Sequence, residues 1–242
     1  MNYNIDIDRF KEDSTLIVSE SFVANVFMWM FAALGITALT AYFFGTTEEL
    51  LNLVFKQTET GGKITVFGWI AILSPVALVY FMARRVNKMR FPVLVGLFLL
   101  YSVLMGFSLS LFFTEYTETS IFRTFGIAAG MFGTMALIGY FTKKDLSKLS
   151  SVFTLTIIGL IFAMVINIFL HSATFDYVIS IIGVVLFTGV TAYDMQVIKK
   201  IGMVGFENHE TMAKTSIQAA ITIYLDIINL FLYLLRFFGR RR

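Results

Sequence analysis

No cysteine occurs anywhere in the 242 residues, which excludes disulfides, thiol catalysis and cysteine-ligated metals. Only two histidines are present, His171 and His209, too few for a histidine-rich metal centre. Charge is scarce as well: Asp, Glu, Lys and Arg make up 14% of the chain, where an ordinary soluble domain carries about 25%. No glycine-rich phosphate loop, HExxH helix or nucleophile elbow is found. No enzyme activity, catalytic residue or resident cofactor is therefore expected, and no nucleic-acid partner. The first 21 residues lack the basic start and small-residue cleavage site of a signal peptide. They are polar and acidic (Asp6, Asp8, Glu12, Asp13) and read as a short cytoplasmic tail over 1–21.

What fills the chain instead is apolar. Hydrophobic residues are 57% of it and 27 are Phe, with a mean hydropathy of +0.79. That composition belongs to an integral membrane protein with the lipid bilayer as its main partner. A run of about 20 apolar residues crosses a bilayer as a helix. Seven such runs lie at roughly 22–44, 66–83, 91–113, 121–141, 151–170, 177–198 and 216–238. The fold expected is all-α and polytopic, one seven-helix transmembrane domain over 22–242. The second run is the shortest and holds Ser74-Pro75. A proline frees a carbonyl one turn back, which a membrane bundle tolerates when a neighbour satisfies it. Gly106, Gly126, Gly130, Gly133, Gly139, Gly183 and Gly189 read as close-packing positions.

Charge in the connections is asymmetric. Arg84, Arg85, Lys88 and Arg90 follow the second run; Lys143, Lys144 and Lys148 follow the fourth; Lys199, Lys200 and Lys214 follow the sixth. The other connections hold Lys56, Lys63 and Arg123 among six acids. The basic connections and the N-terminus are thereby expected in the cytoplasm. Seven spans then put the C-terminus outside, against the pull of Arg236, Arg240, Arg241 and Arg242. Either the earlier loops dictate the topology, or the last segment is re-entrant.

Two acids stand inside apolar runs, where a charge is costly and signals a function or a partner. Asp226 lies in the last run, with Asn229 and Tyr233 on its face at i+3 and i+7 and Thr222 at i−4. This polar stripe is expected to turn inward, and a helix so apolar around it suits the centre of the bundle. Asp194 lies one run upstream. At 1.5 Å per residue it is about 7 Å inside Lys199, while Asp226 is about 18 Å beyond Lys214. The depths agree only if the last helix starts in water. Two carboxylates at hydrogen-bond range share one proton, losing the first readily and the second with difficulty. Such a pair is a proton-controlled latch. Arg84 or Arg85 can snorkel back to compete for Asp194. Two aspartates alone make at best a weak calcium site, because calcium takes six to eight oxygens. The plain alternatives are a stripe that only joins helices, an Asp194 paired with a nearby lysine, and arginines that only set topology. The polar turn 139–147 reads as structural, with Thr142 or Asp145 capping a helix start.

The segment Gly130-Met-Phe-Gly-Thr-Met-Ala-Leu-Ile-Gly-Tyr140, then Thr142-Lys-Lys-Asp-Leu-Ser147, Tyr193-Asp194, Tyr224-Leu-Asp-Ile-Ile-Asn-Leu-Phe231 and Leu234-Leu-Arg236, resembles the bacterial branch of the Bax inhibitor-1 family. The resemblance covers the chain from about residue 20. It implies a seven-helix bundle of the bacterial inner membrane with the last helix central. It implies a pH-sensitive calcium leak gated by an aspartate pair, which here matches Asp194 and Asp226, with calcium and protons as the moving species. The cation that competes for one acid matches Arg84, with Arg85 the alternative. A glutamate that some members carry in the second span is replaced here by the Leu73-Ser74-Pro75 region. Some bacterial relatives are linked to a membrane quality-control protease, so a non-channel regulator that binds such a partner is the second expectation. An intramembrane aspartyl protease is disfavoured: Asp226 follows Ile-Tyr-Leu rather than glycines, and the only prolines are Pro75 and Pro92.

Overall fold

The computed structural model describes residues 7–58 and 61–241. Helix α1 (Ile7–Thr46) is followed by a short α2 (Glu48–Val54) and a hairpin of β1 (Phe55–Thr58) and β2 (Gly61–Ile64). Then come α3 (Val66–Arg85), α4 (Phe91–Ser110), a single turn α5 (Phe112–Glu115), α6 (Glu118–Phe141), α7 (Ser150–Leu170), α8 (Ala173–Val204) and α9 (His209–Phe238). Seven of these helices are long and apolar enough to cross a membrane, so the chain is an all-α polytopic membrane protein. The stretch expected as a tail is helical from Ile7 onward and continuous with the first span.

Local chemistry marks the helix ends. Thr65 and Asn208 accept hydrogen bonds from Gly68 N (3.0 Å) and Thr211 N (2.8 Å), capping α3 and α9. His171 closes α7 in the left-handed region at φ 49°, and Ser172 caps α8 at once, accepting from Phe175 N at 3.3 Å. Gly205 stops α8 at φ 80°, a conformation that glycine adopts without steric cost. Pro75 sits inside α3, and the carbonyl it frees is that of Ala71. Ser108 of α4 donates its hydroxyl to that oxygen at 2.6 Å, so the freed acceptor is satisfied between helices.

Helix α9 is the core. It packs against α8, α1, α6 and α4, and 56% of its apolar window is buried, against 6% for α7. Ile223, Tyr224, Leu230 and Leu235 are fully buried on different sides of it. A buried polar link ties it to two neighbours. Thr37 of α1 donates to Ser102 O of α4 at 2.9 Å. Its single proton is thereby used, so Tyr224 donates to Thr37 Oγ1 across 2.7 Å.

The two ends of the bundle differ. The connections carrying Arg84–Arg90, Lys143–Lys148 and Lys199–Lys214 share one end, where Phe206 of the α8–α9 connection packs tilted against Phe22 at the start of the first span. The C-terminus lies at the other. Arg241 Nε pairs with Glu115 at 3.0 Å and Arg236 with Asp176 at 3.7 Å. Arg240 N donates to Ser120 Oγ at 2.9 Å. The expected alternative of a re-entrant last segment is overturned, because α9 is one unbroken helix of 30 residues. Acids at the far end neutralise two of the arginines that argued for a return.

Candidate functional site

Helix α8 packs along the central α9, and their facing sides carry the two acids. The carboxyl groups of Asp194 and Asp226 are hydrogen-bond neighbours. Asp226 is only 4% exposed, and among the described residues its Oδ2 has no hydrogen-bond donor. A buried acceptor left in that condition is costly, and a proton held between the two carboxyls removes the deficit. The depth mismatch resolves through helix length. Helix α9 begins at His209, further from the pair than α8 ends at Val204. Its start therefore overhangs the end of α8 by about 10 Å at 1.5 Å per residue.

Asp194 is set by its neighbours. Gly139 of α6 lies against the Ala192 carbonyl so closely that a Cβ there would overlap it. The chain around Asp194 is thus wedged between α6 and α9. One turn on, the buried Gln196 clamps the α6–α7 connection: its Nε2 donates to Lys144 O at 2.8 Å and its Oε1 accepts from Leu146 N at 3.0 Å. Asp145 caps the turn that follows, accepting from Ser147 N (3.2 Å) and Ser147 Oγ (2.7 Å), and pairs with Lys200 Nζ at 3.0 Å. The Ser147 hydroxyl and then Lys200 hold its pKa down from 3.8 to about 2.

The expected polar stripe is present in part. Tyr233 is buried, stacks on Phe187 and donates to Met164 Sδ at 3.8 Å. Asn229 is half-buried. Thr222 is exposed and lines a groove between α3, α4 and α9, apart from the acids; its expected place on the inward face is not observed. The stripe instead continues to Arg236, which also reaches Met164 Sδ at 3.8 Å before meeting Asp176. That extension was visible as the i+3 position from Tyr233.

Arg84 and Arg85 are exposed at the end of α3. Their guanidinium groups lie over Tyr80 (4.6 Å) and Phe81 (5.6 Å), and among the described residues neither forms an ion pair with Asp194. Also among the described residues, no three acids or histidines gather to hold a metal. Two carboxylates with one open acceptor suit a passing cation better than a stored one.

The profile of the family described as inhibitor of apoptosis-promoting Bax1 matches residues 19–242. The inner membrane protein YbhL of Escherichia coli K12 is 36% identical over 241 residues, 98% of this chain and 100% of that protein. An uncharacterised protein of Borreliella burgdorferi is 39% identical over 236 residues, 98% of this chain and 99% of its own length. The Rickettsia prowazekii protein RP147 is 39% identical over 221 residues, covering 91% and 90%.

Proposed function

From the premise that this chain belongs to the Bax inhibitor family of membrane proteins, we propose that it is a pH-sensitive calcium-leak channel of the inner membrane, with its N-terminus cytoplasmic. Asp194 and Asp226 share one proton and form the gate. The observation that carries this reading is their contact at the α8–α9 seam, where among the described residues Asp226 Oδ2 has no donor. With one proton between them the acids attract and the seam is held. Without it they repel, and the helices are pressed apart. Arg84, or Arg85, then competes for Asp194. Calcium and protons are the species that move, and the protein catalyses no covalent step. Asn229 and Tyr233 continue the polar face along which a cation is relayed toward Arg236 and Asp176.

Calcium flux into proteoliposomes, measured across pH, tests this. Wild type is expected to conduct with a clear pH dependence, and Asp194→Asn and Asp226→Asn are each expected to flatten it. Equal, parallel profiles for all three proteins would overturn the gate. Absence of flux in wild type, together with capture of a membrane protease by the intact chain, would favour the regulator reading.

A further inference from the structure

Two of the three basic connections carry their own counter-groups. Lys200 pairs with Asp145 and Lys214 with Glu210 at 2.8 Å. Lys199 Nζ donates to Tyr140 O at 2.8 Å and sits over that ring. The α3–α4 connection is different. Arg84, Arg85, Lys88 and Arg90 crowd one short turn, and no acidic residue occurs between Glu59 and Glu115. Among the described residues none of the four makes an ion pair. Topology alone would be served as well by paired cations, so this set, unpaired among the described residues, is open to an anion from outside the protein.

Beside this turn a groove of about 360 Å³ opens between α3, α4 and α9. Val79, Met82, Leu94, Ile221 and Leu225 wall it, and Val86 of the turn stands at its rim. Arg85 precedes Val86, and Arg90 lies one turn above Leu94 on α4. Gln218 and Thr222 place an amide and a hydroxyl in the α9 wall. An apolar slot that meets a cluster of unpaired cations at one end of a membrane bundle matches one molecule in both halves. We propose that this is a binding site for a single anionic phospholipid. An acyl chain fills the groove, and the phosphate is held by Arg85, Lys88 and Arg90, with arginine favoured for its forked donors. A zwitterionic lipid fills the groove equally but leaves the cationic turn uncompensated. The site does not depend on the channel reading, since binding is read without flux.

The test uses the full-length protein, delipidated and returned to nanodiscs of phosphatidylcholine with or without phosphatidylglycerol. Native mass spectrometry and thermal melting are the readouts. Wild type is expected to retain one phosphatidylglycerol and to melt higher in its presence. The Lys88→Gln/Arg90→Gln variant should lose that preference by on the order of tenfold. Ala83 also lines the groove, and Ala83→Trp, which fills it and keeps the charge, should lower retention independently. Equal retention of the two lipids by wild type would overturn the proposal. So would an undiminished preference in both variants, or inorganic phosphate alone reproducing the rise in melting temperature.

Discussion

Asp226 is a carboxylate in the middle of the most buried helix, and its place there depends on residues that carry no charge. Gly139 is the clearest case, because α6 touches the α8 backbone at Ala192, two residues before Asp194. Gly139→Ala must push α8 away at that point. The expected cost is about 1–3 kcal/mol of overpacking, seen as a lower melting temperature, together with a weakened pH response of flux. Gly133 lies on the same helix with nothing within 4 Å of a Cβ, so Gly133→Ala should stay within about 0.5 kcal/mol of wild type. Equal melting of the two variants would remove Gly139 from the site's support. All these glycines read alike in the sequence, as close-packing positions. Gly106, Gly139 and Gly183 do meet a neighbour, whereas Gly126, Gly130 and Gly133 meet nothing. Composition marks a small residue but does not say which helix passes it. Thr222 fails for a related reason: its azimuth lies between those of Tyr233 and Asn229, but one turn nearer the start of α9 that face borders the groove beside α3 and α4, and spacing along one helix does not show which neighbour is missing there. The two acids themselves were legible because charge inside an apolar run is rare enough to demand a partner.

The connection between α6 and α7 acts as a strap over the end of α8, fastened by Gln196, Lys200 and Asp145. Because Asp145 has its pKa lowered in the folded protein to about 2, it contributes stability that is complete above its ordinary value of 3.8. That contribution fades as pH falls through about 2. Asp145→Asn should therefore melt below wild type at neutral pH, with the difference closing between about pH 4 and pH 2. A constant gap across that window would mean that the Asp145 contribution does not depend on its charge, and no gap at any pH would mean that the strap is held by Gln196 alone. Added salt should narrow the gap at neutral pH, since the Lys200 pair is half exposed and screened. The sequence does offer Asp145 as a cap with Ser147 behind it, a local pattern. Its partner on α8, Lys200, lies 55 residues away, and no local pattern encodes it. The proline in α3 shows the same division. Its freed carbonyl is deducible, but the donor that answers it, Ser108, sits 37 residues on.

Seven apolar runs fix seven spans because bilayer thickness leaves little choice. What hydropathy leaves open is how the last span ends, since four arginines there contradict the side on which an odd count places them. The structure answers with specific contacts. Arg236 meets Asp176, Arg241 meets Glu115, and the backbone of Arg240 is fixed by Ser120 and Thr117. Burial and the Glu115 charge raise the Tyr116 pKa, while the Arg241 hydrogen bond opposes them. The positive-inside rule counts lysine and arginine in the loops, so acids recruited from α5 and α8 stay invisible to it. The consequence is a topology that labelling can decide. The chain has no cysteine, so single cysteines give no background. Lys148→Cys stands at the basic end and Arg240→Cys at the other, both at exposed positions. In intact spheroplasts a membrane-impermeant maleimide should label Arg240→Cys and spare Lys148→Cys. Permeabilisation should expose both. Labelling of the two from the same side would put the ends of α9 on one face of the membrane and break the seven-span bundle. The reverse pattern would keep the bundle but invert it, placing the unpaired cations of the α3–α4 turn against the outer leaflet.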